Sequence, residues 1–283
     1  MLRRTRFLAL LFMTAAAAGC VVVPERQHAL VLETDGTVAQ RPMRCGDPPI
    51  AAAAQAGALD PHLIRVASWN LHKEADDGWQ SDLARVMRES DVLLIQEAEV
   101  SAGFRSVVER DGFSWLLSSA FEYRGAEYGV LTATRVPPGS ACTLRANEPL
   151  ILIPKAALIT HYHLAGHSET LAVANVHAIN FVLGTDAYRA QLDAVAETLA
   201  THHGPIIFAG DFNIWNDQRD AVVQSLARKL GLTPVAFGVD DRKRFFGRIF
   251  DWVYARGLEV IDATAWKVSS SDHNPLLVAL RLP

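Results

Sequence analysis

The chain has 283 residues, half of them apolar, enough for one large domain or two small ones. Its formal net charge of −4 excludes a general electrostatic pull toward nucleic acid. Ordinary Gly and Pro contents point to a mostly globular chain.

The chain opens "MLRRTRFLALLFMTAAAAGC". Arg3, Arg4 and Arg6 form a basic start, and the apolar run from Phe7 to Ala18 is far shorter than the roughly 20 residues that span a bilayer. This is the pattern of a secretory signal. It ends in Ala17-Ala18-Gly19-Cys20, similar to a bacterial lipobox, in which the Cys is lipidated and becomes the new N-terminus. Ala17 stands where Leu is commonest, so ordinary signal cleavage and an uncleaved anchor are the alternatives. The expected organisation is a signal peptide over residues 1–19, a lipid-anchored tether over 20–61 and the main domain over 62–283. Val21 replaces the Asp that retains lipoproteins at the inner membrane, so a periplasm-facing anchor leans to the outer membrane. Losing three of 27 basic residues leaves 24 against 31 acidic ones, a mature net charge of −7. Export also makes Cys45 and Cys142 a candidate disulfide, against two buried free thiols.

Within the tether, "ALVLETDGTVAQ" offers an Asp35-Gly36 hairpin turn between short strands, and "PPIAAAAQAGALDP" is a low-complexity linker. From residue 62 onward short apolar runs recur. Strands are expected over 63–70, 91–97, 128–134, 156–164, 170–178, 205–213, 250–256 and 276–282. Helical spacing falls over 81–90, over 186–202 with Thr185 as N-cap, and over 217–231 with Gly231 as C-cap. Strands are too numerous for strict alternation with helices, so two packed sheets with helices outside fit best.

The strands share a feature. Apolar runs adjoin Asn70, Glu97, His177, Asp211 with Asn213, Asp251, and Asp272 with His273. Taken singly, most are turn or core residues, since Asp and Asn favour turns. Glu97 is harder to dismiss, because a carboxylate buried without a partner is costly.

The motifs "WN" at 69–70, "LLIQE" at 93–97, "YGV" at 128–130, "NVHA" at 175–178, "GDFN" at 210–213, "FDWVY" at 250–254 and "SDHNPL" at 271–276 together resemble the endonuclease/exonuclease/phosphatase family. Within it, "NVHAINFVLGTDAY" and "FGRIFDWVYARGL" are most similar to the bacterial YafD-like subgroup, although a lipobox departs from that pattern. The resemblance implies an α/β fold of the DNase I-like kind, a four-layer sandwich of two packed mixed β-sheets flanked by helices. It also implies a metal-dependent phosphoric ester hydrolase.

The residue types suit that chemistry. Hydrolysing a phosphodiester needs charge neutralised, water activated and reactants aligned. Mg²⁺, or Mn²⁺ in its place, prefers oxygen ligands, so Glu97 is the main expected ligand, with Asn70 and Asp272 beside it. Asp211 and Asn213 are two apart and on an extended strand would share one face, with Phe212 on the other. The resemblance implies that Asp211 orients water and Asn213 contacts phosphate. His273 is the expected general base, Asp251 its orienter, and His177 a donor to the phosphoryl oxygen. Trp215 and Asn180 are candidates for the cleft lining, and His72 for its rim. In "DRKRFFGR", Arg242, Lys243, Arg244 and Arg248 are candidates for gripping a phosphate backbone or head group. His161 and His163 share a strand face but fall outside the motifs, and His202 and His203 suit a helix end.

The family acts on DNA, RNA, inositol phosphates and phospholipid head groups, so the fold does not choose a substrate. The local basic patch favours a nuclease-like phosphodiesterase. The alternatives are a membrane-anchored phospholipid or small-molecule phosphoesterase, and a catalytically inactive binding lipoprotein.

Overall fold

The computed structural model describes residues 21–47, 57–245 and 247–283. The expected signal segment, Cys20 and most of the expected "PPIAAAAQAGALDP" linker lie outside them.

The first strands are β1 (Val21–Val22), β2 (Ala29–Leu32), β3 (Val38–Arg41), β4 (Ile64–Asn70) and β5 (Val92–Glu99). Next come β6 (Ser114–Tyr123), β7 (Ala126–Thr134), β8 (Ser140–Asn147), β9 (Pro154–His163), β10 (Thr170–His177) and β11 (Ile206–Asp211). The chain continues with β12 (Thr233–Pro234), β13 (Val239–Asp240), β14 (Arg244–Phe245), β15 (Arg248–Ile249), β16 (Asp251–Arg256), β17 (Glu259–Ala265) and β18 (Leu276–Arg281). The helices are α1 (Trp79–Arg88), α2 (Ala102–Val108), α3 (Asp186–Ala200) and α4 (Asp217–Leu230).

Two mixed sheets carry the fold. The larger is ordered β13-β17-β18-β4-β5-β7-β6-β2-β3, with β1 also on β6; the smaller is ordered β12-β16-β11-β10-β9-β8. Period-two alternation sorts their side chains into layers. On β4, Ile64 and Val66 join Leu94, Val173, Ile207 and Val253 between the sheets. Ala67 and Trp69 turn the other way and meet Leu83, Met87 and Phe104 of α1 and α2. On β10 and β11, Ala172, Ala174 and Phe208 pack outward against Tyr188, Leu192, Val195, Val222 and Leu226 of α3 and α4. The result is helix, sheet, sheet, helix.

Gly231 ends α4 in the left-handed conformation, φ 67°, as a C-cap glycine should. Thr185 precedes α3 as expected, but its side chain makes no capping hydrogen bond. Helix α1 begins at Trp79, two residues ahead of the expected start, so that the indole reaches the core. The tether is more than a tether: Asp35 and Gly36 turn between β2 and β3, and β2 pairs with β6, so residues 29–41 extend the large sheet. Cys45 and Cys142 form a disulfide, Cα–Cα 4.8 Å, stitching this segment to β8 of the small sheet.

Candidate active site

The site forms where strands of both sheets end together. His177, Asp211 and Asp251 are register partners across β10, β11 and β16, so three ionisable side chains lie side by side. From the large sheet, β4 ends on Asn70, and β5 delivers Glu97. Gln96 of β5 donates to the Asn175 Oδ1 of β10 at 2.7 Å. Asn175 in turn donates to the Leu131 carbonyl of β7 at 2.9 Å. This buried amide pair bolts one sheet to the other directly beneath the site, and sequence reasoning missed both residues.

The backbone is bent to make the delivery. Glu97 has φ 52° and sits in a bulge between Ile95 and Ala98. Asn213 has φ 50°. Left-handed non-glycine residues cost free energy and collect at functional sites. Gly210, with φ 142°, approaches the Val176 carbonyl so closely that a Cβ would sit 2.0 Å from its oxygen. Only glycine fits one residue before Asp211.

Asp211 and Asn213 do share the cavity, but not through an extended strand. β11 stops at Asp211, whose Oδ1 accepts from the Asn213 backbone N–H at 2.9 Å, a side-chain-to-backbone turn. The turn brings Asn213 around, and its Nδ2 donates to the Ala178 carbonyl at 2.9 Å. Phe212 enters the core against Phe208 and Tyr254, as expected.

His273 Nδ1 meets Asp251 Oδ2 at 2.7 Å, and its Nε2 lies 3.9 Å from Asp211 Oδ2. The loop carrying His273 is tied to β4: Ser271 Oγ donates to the Asn70 carbonyl, and the Trp69 indole donates to the His273 carbonyl. Asn70 donates to Asp211 Oδ2 at 3.1 Å, and its own Oδ1 accepts from the His72 N–H. His177 Nε2 is 3.5 Å from Asp211 Oδ2 and 3.8 Å from Glu97 Oε1. Two unexpected lysines complete the group: Lys73 donates to Glu97, and Lys155 Nζ stands 3.0 Å from His177 Nε2.

These contacts set the charges. Burial alone would disfavour the His273 imidazolium, but Asp251, with Asp211 and Asp272 nearby, outweighs it and raises the ring to about 10. Burial pushes the Asp211 carboxyl up, opposed by His273. Burial would also raise Glu97, but the positive field from the side of His177, Lys73 and Lys155 holds it well below the usual carboxylate range. Burial and Lys155 keep His177 neutral, so we assign that field to the two lysines.

The side chains open onto a cavity of about 530 Å³, lined by Asn70, Glu97, His177, Asp211, Asn213, Asp272 and His273. Asn180 and Trp215 also line it, as expected. Asp251 lies behind His273, where an orienting carboxylate belongs. His72 does not line the cavity; it pairs with Asp76 at 2.7 Å and lies 3.9 Å from Asp272.

The donors suit a hard divalent cation: carboxylates and an amide, with no thiolate among the lining residues. Glu97 already attracts the Lys73 ammonium, so the position stabilises positive charge. Among the described residues there is one compact alternative, since ligand atoms of Asp211, Asp251 and His273 lie within 4.8 Å of one another. That group spends His273 Nδ1 on Asp251, which suits proton transfer better than ligation.

The basic stretch is a correction. Arg242 is buried, forks onto Asp240 at 2.7 and 2.8 Å, and stacks between Phe237 and Trp252. Lys243 donates to the Ser271 carbonyl, and Arg248 pairs with Asp217 at 2.6 Å. Neither these three nor the exposed Arg244 lines the cavity; that stretch contributes Phe245, whose ring lies 5.1 Å from that of His273. His161 contacts Ser140 Oγ and faces His202, ring centroids 5.3 Å apart, outside the cavity.

Other residues went unread. Buried Arg219 of α4 donates to the carbonyls of Ile179, Asn213 and Asn180, and lies over the rings of Tyr188 and Trp215. Gln191 of α3 bridges the Ile179 N–H and the His177 carbonyl. The available signal was a polar residue on each helix's apolar stripe: Arg219 lies three residues before Val222, and Gln191 three after Tyr188. Nothing in the sequence pattern marks Lys73 or Lys155.

The comparisons with known proteins agree with this fold. A UPF0294 protein of Vibrio parahaemolyticus is 37% identical over 279 residues, covering 97% of this chain and 96% of its own. The structure of an endonuclease/exonuclease/phosphatase from Beutenbergia cavernae matches with a TM-score of 0.61 at 19% identity, covering 78% of this chain and 72% of that one. The human Nocturnin catalytic domain, solved with bound sulfate, also gives 0.61, at 18% identity, covering 84% of this chain and all of that domain. The sequence profile of the Endonuclease/Exonuclease/phosphatase family spans residues 67–273, from β4 to His273, and the chain belongs to that family.

Proposed function

We propose that the chain is a Mg²⁺-dependent phosphodiesterase. The observation that carries this reading is the register of His177, Asp211 and Asp251, with His273 hydrogen-bonded to the last of them. Asp251 holds Nδ1–H, which leaves Nε2 facing the cavity to take a proton from water. Asp211, 3.9 Å from that nitrogen, accepts from the same water and aligns it. His177 and Asn213 face the phosphoryl oxygens, and Asn180 and Trp215 border the rest of the substrate.

Glu97, Asn70 and Asp272 would hold the divalent ion, which when bound supplies positive charge against the phosphate. A divalent ion there would oppose the field of the carboxylates that raise His273, and so would favour the neutral ring that can accept a proton. The test is hydrolysis of bis(p-nitrophenyl) phosphate with and without Mg²⁺, by the native chain and by His273→Ala. Absence of metal-dependent turnover in a folded native chain would overturn the reading and favour a binding protein.

A nuclease-like preference has lost its main support, because Arg242, Lys243 and Arg248 are engaged with protein groups outside the cavity. We also propose that Cys20 is lipidated and holds the chain at a periplasm-facing membrane. The support is the sequence alone, and Cys20→Ser should abolish incorporation of labelled palmitate.

A further inference from the structure

One side of the cavity mouth is apolar and exposed. The loop between β8 and β9 (148–153) carries Leu150, Ile151 and Leu152; the loop between β10 and α3 (178–185) carries Phe181 and Leu183; Trp215 stands beside them. Leu183 is 84% exposed, Leu152 71% and Phe181 53%. These six are half of the twelve exposed large apolar side chains among the described residues; Leu150, Phe181, Leu183 and Trp215 line the cavity, and Ile151 and Leu152 continue the first loop beyond it.

The platform beneath them is rigid. The buried Glu148 carboxylate accepts from the N–H groups of Asn180 and Phe181, locking one loop to the other. Arg219 fixes the second loop from below through the Asn180 carbonyl and braces the Trp215 ring. These contacts hold the two loops with Leu150, Leu152, Phe181 and Leu183 facing outward.

The path of the chain supplies the occupant. β1 pairs Val21 and Val22 with Tyr123 and Glu122, at the end of β6 where neighbouring Phe121 lines a cavity shared with Glu97 and His177. Pro24 accepts from Arg145 of β8, two residues before the strand's end and the apolar loop. Val21 and Pro24 therefore lie at the active-site end of the sheets. The residues preceding it in sequence are an apolar run ending in Cys20.

We infer that the active-site face rests on a lipid surface, with Leu150–Leu152, Phe181 and Leu183 in the interfacial layer and the cavity opening onto lipid head groups. Resting on the phosphodiesterase reading, this makes a phosphate-bearing lipid head group the substrate class. Burying these side chains among acyl chains removes apolar area from water, and the cavity floor then faces the depth at which the phosphates lie.

The test uses the full 283-residue chain in a Cys20→Ser background, with a thiol-reactive fluorophore at Leu152→Cys, Leu183→Cys or Val260→Cys. Val260 is an exposed position at the opposite end of the large sheet, where it pairs with Leu280. Each protein is mixed with phosphatidylcholine vesicles whose acyl chains are brominated or not. Labels at 152 and 183 should lose most of their emission to bromine, while the label at 260 keeps it. Unquenched labels at 152 and 183, or equal quenching at 260, would overturn the inference, as would a protein partner that covers both positions in place of lipid. Hydrolysis of bis(p-nitrophenyl) phosphate by the unlabelled chain is scored separately. Quenching without hydrolysis would sink the phosphodiesterase reading and leave the docking face. Hydrolysis without quenching would do the reverse.

Discussion

The floor and the rim of the cavity are built on opposite rules. The floor is polar, buried and cross-tied, and its functional groups stand on strand ends or on turns hydrogen-bonded to them. The apolar side of the rim is exposed and made of loops. The floor spends free energy on left-handed Glu97 and Asn213 and on buried charge, which a fold maintains only where neighbouring contacts over-determine the geometry. The rim spends it on apolar surface left in water. On the proposed reading, the difference separates the groups that would break a bond from the surface that would decide what is presented to them.

The largest expected effect breaks the floor alone. His273→Ala should lower kcat by about 10²- to 10⁴-fold, the range for a positioned acid or base, with an unchanged circular dichroism spectrum. Asp251→Asn should reproduce much of that loss, because Nδ1 then lacks its carboxylate. If Asp251→Asn were near native, His273 would not be acting through Nε2, and the floor would need a different base.

The next effect tests whether the floor depends on its backbone. Gly210→Ala places a Cβ against the Val176 carbonyl at a φ that side chains rarely adopt, and should cost about 3 kcal/mol or more in urea unfolding. Asn175→Ala removes the bolt between the sheets and leaves Gln96 without its closest partner; about 1–3 kcal/mol is expected. Since Asn175 supports Glu97 and His177 from below, Asn175→Ala should also reduce kcat more than any equally destabilising change in α1. Equal losses would mean that the bolt matters only for stability.

The floor was legible in the sequence because each of its residues adjoins an apolar run, and strand ends are easy to see where polarity switches abruptly. Its construction was not. The turn that brings Asn213 around, the φ of Glu97 and the cations Lys73 and Lys155 depend on contacts between elements far apart in sequence. The same limit hid β6, β8 and β17. The β17 sequence "EVIDATA" is exposed over its first four residues and shows little alternation, and "SWLLSSAFEY" carries no period that separates strand from helix. The loops of the rim were invisible as a unit: "PLILI" and "INFVL" resemble core segments, but Leu150, Ile151, Leu152, Phe181 and Leu183 are exposed, and only Ile179 and Val182 of the second segment are buried.

The basic stretch was misread for the opposite reason, and it gives the smallest expected effect. Four cations near an active-site motif look like a phosphate grip, but guanidinium groups also serve structure. Arg242 does so, forked onto Asp240 and sandwiched between two rings. Arg248 pairs with exposed Asp217, an arrangement worth at most about 1 kcal/mol, and Arg244 is exposed on β14. The double substitution Arg244→Ala, Arg248→Ala should therefore shift stability by less than about 1 kcal/mol. It should leave the salt dependence of phosphodiester hydrolysis unchanged. A cation that touches phosphate behaves differently, and its removal reduces the log–log salt slope by about one. A slope that fell by that much for single-stranded DNA would place this stretch in the rim after all. The rim would then be half basic and half apolar, and a polyanion, not a lipid surface, would be the better match to it.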